Sequence, residues 1–145
     1  MKKIPRLVLD TNVIVSALRS SEGASYLLLS LLETMPWQIC LSSALLLEYE
    51  EQVFRDQAVS LLSDSALNDF LDIIADRSEH IKIFYRWRPQ LKDPDDDMVL
   101  EAAVNGACTH IITYNRRDFR NLERFGLQVC TPKEFLMTEK IVKGR

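Results

Sequence analysis

Apolar runs recur along the chain, each cut off by a short polar group. Leu7-Val8-Leu9 is aliphatic without alternation, Asp10-Thr11-Asn12 stops it, and Val13-Ile14-Val15, Ala17 and Leu18 resume it. An unalternating aliphatic run predicts a short strand buried on both faces, here followed by the start of a buried helix. Ser20-Ser21-Glu22-Gly23 reads as a turn, and Ala24–Leu32 as a second buried helix that stops before Pro36. Trp37–Leu41 alternates in part and predicts a second strand. Ser42 and Ser43 are cap candidates for the helix Ala44–Arg55, with its apolar stripe at Leu45, Leu46, Tyr49 and Val53. Ser60–Ser78 predicts one or two amphipathic helices, broken near Ser63-Asp64-Ser65, without evident chemistry. Ile81–Tyr85 alternates and predicts a third strand. Asp93-Pro94 opens another helix, with proline at its first position. Val99, Ala102, Ala103 and Gly106 form a small-residue face on it, suited to close packing on a sheet. Thr109–Thr113 and Gly126–Cys130 predict a fourth and fifth strand. Thr131-Pro132-Lys133-Glu134 carries a full helix start, with a cap, a proline and a capping-box glutamate, and Phe135, Leu136 and Met137 dock that helix.

Strands alternating with helices predict an α/β fold: a three-layer α/β/α sandwich around a mostly parallel five-stranded sheet. The expected organisation is a single domain over residues 1–139 and a basic tail over 140–145. A chain of 145 residues, 47% hydrophobic and with few glycines and prolines, suits one globular domain. No apolar run approaches the roughly 18 residues of a membrane span. The basic start at Met1-Lys2-Lys3 leads into an apolar run that breaks at Asp10, too soon for a signal peptide. The expectation is a cytoplasmic protein with no membrane partner. Cys40, Cys108 and Cys130 are far apart and read as buried thiols, and His80 and His110 flank strands singly and read as structural.

Candidate chemistry gathers where predicted strands end, the edge at which open α/β sheets bind ligands. Asp10 stands there, either as a functional carboxylate or as the N-cap of the next helix. Glu48 lies beside its helix's apolar stripe, whereas Glu50 and Glu51 project away; it is either pressed to the buried side or a rim residue reaching solvent. Asp93, Asp95, Asp96 and Asp97 crowd one helix start. Acidic first-turn residues complement the helix dipole by about 0.3–1 kcal/mol each. Four exceed that need, because like charges this close repel, and a bound cation would relieve them. Asp93 and Asp97, four apart, are expected to point the same way, and Asp95 and Asp96 to face water. Asp118 follows the fourth strand. Right-handed crossovers bring the ends of the first, second and fourth strands together, so Asp10, Glu48, Asp97 and Asp118 converge. Four carboxylates with no lysine in their segments placed to neutralise them need a divalent cation or raised pKa values. All-oxygen ligation points to Mg²⁺ or Mn²⁺.

In order and spacing, Leu9-Asp10-Thr11-Asn12, Ser42 to Glu48, Asp97 to Ala103 and Thr113 to Phe119 resemble the PIN-domain ribonucleases, of the kind found as toxins in bacterial and archaeal toxin–antitoxin pairs. The resemblance covers nearly the whole chain. It implies a PIN-like sandwich and a Mg²⁺- or Mn²⁺-dependent endoribonuclease that hydrolyses RNA by a two-metal attack of water. It also implies a cognate antitoxin and a homodimer. It implies that Asp10, Glu48, Asp97 and Asp118 bind the metals, with Asp93 as a further ligand. Thr11 matches the hydroxyl residue that holds the first aspartate, Asn12 supports it, and Asn115 matches the polar residue beside the last. One departure is Tyr114-Asn115 where many relatives carry Gly-Asp.

The net charge of −3 argues against a nucleic-acid substrate only if charge is evenly spread. Two divalent ions would bring it to +1. Arg86, Arg88, Lys92, Arg116, Arg117, Arg120 and Arg124 fall in segments beside the acidic edge. They are candidates for RNA phosphate contacts, with Trp87 or Tyr114 available for base stacking; a solvated helix face is the bland reading of these arginines. The alternative function is a non-catalytic PIN-like module that binds RNA or a protein partner. Aspartyl phosphatase chemistry would need a second aspartate two residues past Asp10, where Asn12 stands.

Overall fold

The computed structural model describes residues 4–84, 91 and 93–143. Its five strands are β1 (Arg6–Leu9), β2 (Gln38–Leu41), β3 (Ser78–His80), β4 (His110–Ile112) and β5 (Gln128–Cys130). They form one sheet in the order β3-β2-β1-β4-β5, and every pairing is parallel. Leu7, Val8, Leu9, Ile39, Cys40, Leu41, Ile111 and Ile112 are all buried, as strands covered on both faces require.

Among the described residues, six α-helices flank the sheet: α1 (Thr11–Arg19), α2 (Ala24–Ser30), α3 (Ser43–Arg55), α4 (Asp64–Arg77), α5 (Pro94–Asn105) and α6 (Pro132–Thr138). The result is the expected three-layer α/β/α sandwich. The helix starts follow the capping residues. Ser42 Oγ accepts from Leu45 N at 3.2 Å, Ser63 Oγ from Ala66 N at 3.1 Å, and Thr131 with Glu134 completes a capping box. The break near Ser63 separates α4 from a short 3-10 turn at Val59–Leu61.

α5 packs on β1, β4 and β2, and its Ala102 and Ala103 are both buried. Gly106, at its end, admits no side chain: a Cβ there would lie 2.9 Å from the Ala102 carbonyl and 3.1 Å from Cys108 Sγ. The Arg6 guanidinium donates to the Gly106 carbonyl and to Glu79, tying the start of β1 to the end of α5 and to β3.

The third strand lies earlier than expected. Ser78–His80 pairs with Ile39–Leu41, so the strand begins as soon as α4 ends. Ile81 N still donates to the Leu41 carbonyl at 2.8 Å. Beyond Leu41, however, the neighbouring strand has turned at Ser42 into α3, so Lys82–Phe84 join no ladder, and Phe84 N donates instead to Asn105 Oδ1 at 2.9 Å. The Ile81/Ile83 alternation marks a stretch whose isoleucines touch the core, without a ladder. Tyr85, at the end of the expected strand, lies outside the described residues.

Cys40 and Cys108 are buried free thiols, as expected, whereas Cys130 is half-buried. His110 sits edge-on to Phe135, and His80 Nε2 lies 3.3 Å from Ser43 Oγ. Ile141 and Val142, in the stretch expected as a tail, pack partly against the core. No described helix is long and apolar enough to cross a membrane.

Candidate active site

The chain steps from β1 to β2 to β3 in one direction, then returns to place β4 on the other side of β1. The strand order therefore reverses between β1 and β4, and a crevice opens outside their carboxyl ends. An open cleft of about 1000 Å³ lies there, lined by Asp10, Glu48, Asp56, Asp93, Asp95, Asp96 and Asp118, with Arg19 and Arg55 as its only cationic side chains among the described residues. Both arginines are already engaged, Arg19 with Asp56 and Arg55 with Glu51.

Asp10 is held at its backbone and at both side-chain oxygens. Its backbone N donates to the Ile112 carbonyl at 2.9 Å, continuing the β1–β4 ladder by one residue. Oδ1 accepts from Thr11 N at 2.8 Å, and Oδ2 from Thr113 Oγ at 2.7 Å. Just upstream, the buried Tyr49 hydroxyl on α3 donates to the Leu9 carbonyl, which clamps the end of β1. Asp10 is thus both the cap of α1 and a carboxylate of the cleft, and only 8% exposed. Burial raises its pKa, the bonds from Thr113 and Thr11 pull it back, and Asp118 and Asp93 push it up again by repulsion.

The hydroxyl on Asp10 belongs to Thr113, not to Thr11, which supplies only its backbone N–H. Thr113 ends the expected fourth strand, and no local pattern marks a role for it. Its signal was the register: β4 pairs with β1 so that Ile112 faces Leu9, which puts Thr113 opposite Asp10. The same Thr113 oxygen accepts from Asn115 N at 3.0 Å, and Asn12 Oδ1 accepts from Tyr114 N at 3.3 Å. Asn12, Thr11 and Asn115 all line the cleft.

Glu48 reaches the cleft from α3, where Gln52 Nε2 donates to its Oε1 at 3.1 Å. Partial burial, then Asp95, raises its pKa. Asp118 comes from the short 3-10 turn Arg116–Phe119, anchored by buried Phe119.

At the start of α5 the structure reassigns the aspartates. Asp93 is the N-cap, its Oδ1 accepting from Asp95 N at 2.9 Å, and it lines the cleft. Asp95, exposed as expected, and Asp96, expected to face water but half-buried, line it too. Asp97 does not: it is 2% exposed, and its Oδ1 accepts from Leu91 N at 3.0 Å. Helical i,i+4 reasoning paired Asp93 with Asp97, but an N-cap has extended backbone, here φ −103° and ψ 125°, so the helical period does not reach back to it. Asp96 therefore faces the other carboxylates. Burial, then repulsion from Asp10, Asp118, Asp93 and Asp95, pushes its carboxyl up to about 7.

Arg116 and Arg117 border a second groove beside the cleft, with Arg116 Nη1 3.2 Å from Glu134 Oε2. Arg86, Trp87, Arg88 and Lys92 lie outside the described residues. Among those described, no three carboxylates already stand at the spacing that holds a metal ion.

A family model described as a PIN domain matches residues 6–117. The chain belongs to the PIN-domain family. Among solved structures, this PIN domain superposes with a TM-score of 0.60 on a chain from the crystal structure of VapBC2 from Rickettsia felis bound to a DNA fragment from its promoter. The two are 20% identical, and the match covers 86% of this PIN domain and 98% of that chain. No curated protein matches it in sequence.

Proposed function

We propose that this PIN domain is a Mg²⁺- or Mn²⁺-dependent endoribonuclease and the toxin of a toxin–antitoxin pair. The observation that carries the proposal is the convergence of Asp10, Glu48, Asp96 and Asp118, with Asp93 and Asp95 beside them, at the crevice where the strand order reverses. Such a cluster is costly unless something positive enters it, and the raised carboxyls of Asp96, Asp10 and Glu48 register that cost. The donors are all oxygen, which suits hard divalent cations and not zinc. Asp10, Glu48, Asp96 and Asp118 would hold the metal, with Asp93 as a further ligand.

When bound, divalent ions would activate a water for in-line attack on a phosphodiester and stabilise the leaving oxygen. The protein's own contribution is positioning. Thr113 and the Thr11 amide fix both oxygens of Asp10, so its lone pairs keep one orientation. Gln52 holds Glu48. Arg116 and Arg117 supply cations for the flanking phosphates of the substrate. Among the described residues, no histidine lines the cleft to serve as base for a serine or cysteine, which supports water as the nucleophile.

The toxin role draws on the sequence resemblance and on the likeness to a chain of the VapBC2 complex. It brings with it an antitoxin partner and a homodimer.

The proposal is tested by incubating purified, antitoxin-free protein with single-stranded RNAs and Mn²⁺ or Mg²⁺. Wild type cuts and Asp10→Asn does not; failure of wild type to cut, or equal cutting by the variant, overturns the assignment. A second reading, a non-catalytic module that binds RNA or protein, has one observation in its favour: no three described carboxylates are pre-arranged at ligand spacing. It predicts RNA or partner binding with no cleavage under the same conditions.

A further inference from the structure

Tyr114 lies two residues past the end of β4, and the structure gives its ring an unusual setting. Its Oη lies 2.6 Å from Ser25 Oγ, on α2, and Ser25 is 0% exposed. Ser16 Oγ, on α1, donates to the same hydroxyl at 3.5 Å. At the other end of the residue, Tyr114 N donates to Asn12. The phenol is thereby pinned at both ends while the side chain stays 43% exposed. Exposed aromatics are common and need no explanation by themselves. Tyr26 and Phe84 are also exposed, but neither borders the cleft or the groove beside it.

Tyr114 borders both. On one side lies the carboxylate cleft. On the other lies a groove of about 650 Å³ lined by Tyr114, Asn115, Arg116, Arg117, Asp118 and Arg120. Arg117 and Arg120 make no ion pair among the described residues. A fixed aromatic face next to uncommitted guanidinium groups is the pairing that single strands use, bases on the ring and phosphates on the cations.

We propose that Tyr114 is a stacking platform for one base of single-stranded RNA, and that the strand runs across it from the carboxylate cleft into the arginine-lined groove. The RNA substrate rests on the ribonuclease reading above; the platform adds where the strand lies and why it must be single. A base can lie on the ring only if it has left its own stack, which a duplex does not allow. Every base has a π-face, so the platform demands an unstacked base without choosing among the four. Ser25 acts as a positioning residue, because it holds the ring instead of touching the strand.

The test uses the full chain, a short fluorescent oligouridine, and a series in which each nucleotide in turn is abasic, with Ca²⁺ during binding measurements to limit cutting. Wild type loses on the order of 5- to 150-fold in affinity at one abasic position and little elsewhere. Tyr114→Ala binds the intact strand more weakly by a similar factor and no longer responds to that abasic position. Tyr114→Leu, which keeps apolar bulk without an aromatic face, behaves like Tyr114→Ala. Tyr114→Phe keeps the aromatic face but loses the bonds to Ser25 and Ser16, so it keeps the response to that abasic position with a smaller loss of affinity than Tyr114→Ala, and Ser25→Ala matches it; a duplex of the same sequence binds poorly. Retained affinity in both Tyr114→Ala and Tyr114→Leu, or an unchanged abasic profile in them, overturns the platform. Cleavage with Mn²⁺ is scored in parallel. If wild type cuts but the profiles match, only the platform fails. If wild type shows the profile but never cuts, only the hydrolase reading fails. If wild type binds no RNA, both fail.

Discussion

At the residue scale, one threonine and two aspartates carry the sharpest tests. The Thr113 hydroxyl lowers the Asp10 pKa against the burial that raises it. Thr113→Val keeps the shape and removes that bond, so the Asp10 carboxyl rises further. A carboxylate that must be ionised then fails at higher pH, and the acid limb of kcat/KM for RNA cleavage moves up. An unmoved acid limb would show that Thr113 does not govern Asp10. Asp96 and Asp97 are adjacent in sequence but divide structure from chemistry. Asp96→Asn should cost activity on the order of a hundredfold or more and abolish the rise in Tm on adding Mn²⁺. Asp97→Ala strands the Leu91 amide and should cost roughly 1–3 kcal/mol in urea unfolding, with the Mn²⁺ response retained. The reverse pattern would return the metal role to Asp97. Which of the two faces the cleft depends on the helical phase after Asp93, and composition carries no trace of that phase.

At the scale of elements, the caps decide where helices begin and so where site residues point. Ser42 is buried, and its hydroxyl sets the start of α3, which delivers both Tyr49 to the Leu9 carbonyl and Glu48 to the cleft. Ser42→Ala should cost about 1 kcal/mol, a fall in Tm of about 2–8 °C, with the fold kept. No change in a thermal melt would mean that the cap bond is matched by solvent in the unfolded chain. The helices were legible because caps, prolines and the 3.6 period are local signals: Asp93-Pro94, Thr131-Pro132 and the Ser63 break all lie where expected. β3 was misplaced because a strand's limits depend on its partner, and β2 runs out at Leu41.

At the scale of the molecule, the cleft concentrates charge that folding must tolerate. The Asp96 carboxyl rises from 3.8 to about 7 on folding, so the folded state holds that proton more tightly than the unfolded chain. Its contribution to stability is complete below about pH 4 and is lost as pH rises towards 7. Metal-free protein should therefore lose Tm over that window, and Asp96→Asn should flatten the fall. Mn²⁺ at neutral pH should restore Tm, because a ligand bound only by the folded state stabilises it. A profile in Asp96→Asn as steep as in wild type would place the strain on another group. By itself, the sequence determined the α/β alternation, the PIN resemblance, and Asp10, Glu48 and Asp118 as candidates at element ends, because periodicity and capping act within a few residues. Only the tertiary structure decided that Thr113 holds Asp10, that Asp96 faces the cleft in place of Asp97, and that the Tyr114 ring is pinned by Ser25. Each of those depends on strand register, helical phase or a contact between elements distant in sequence, and none of these is written in any local stretch.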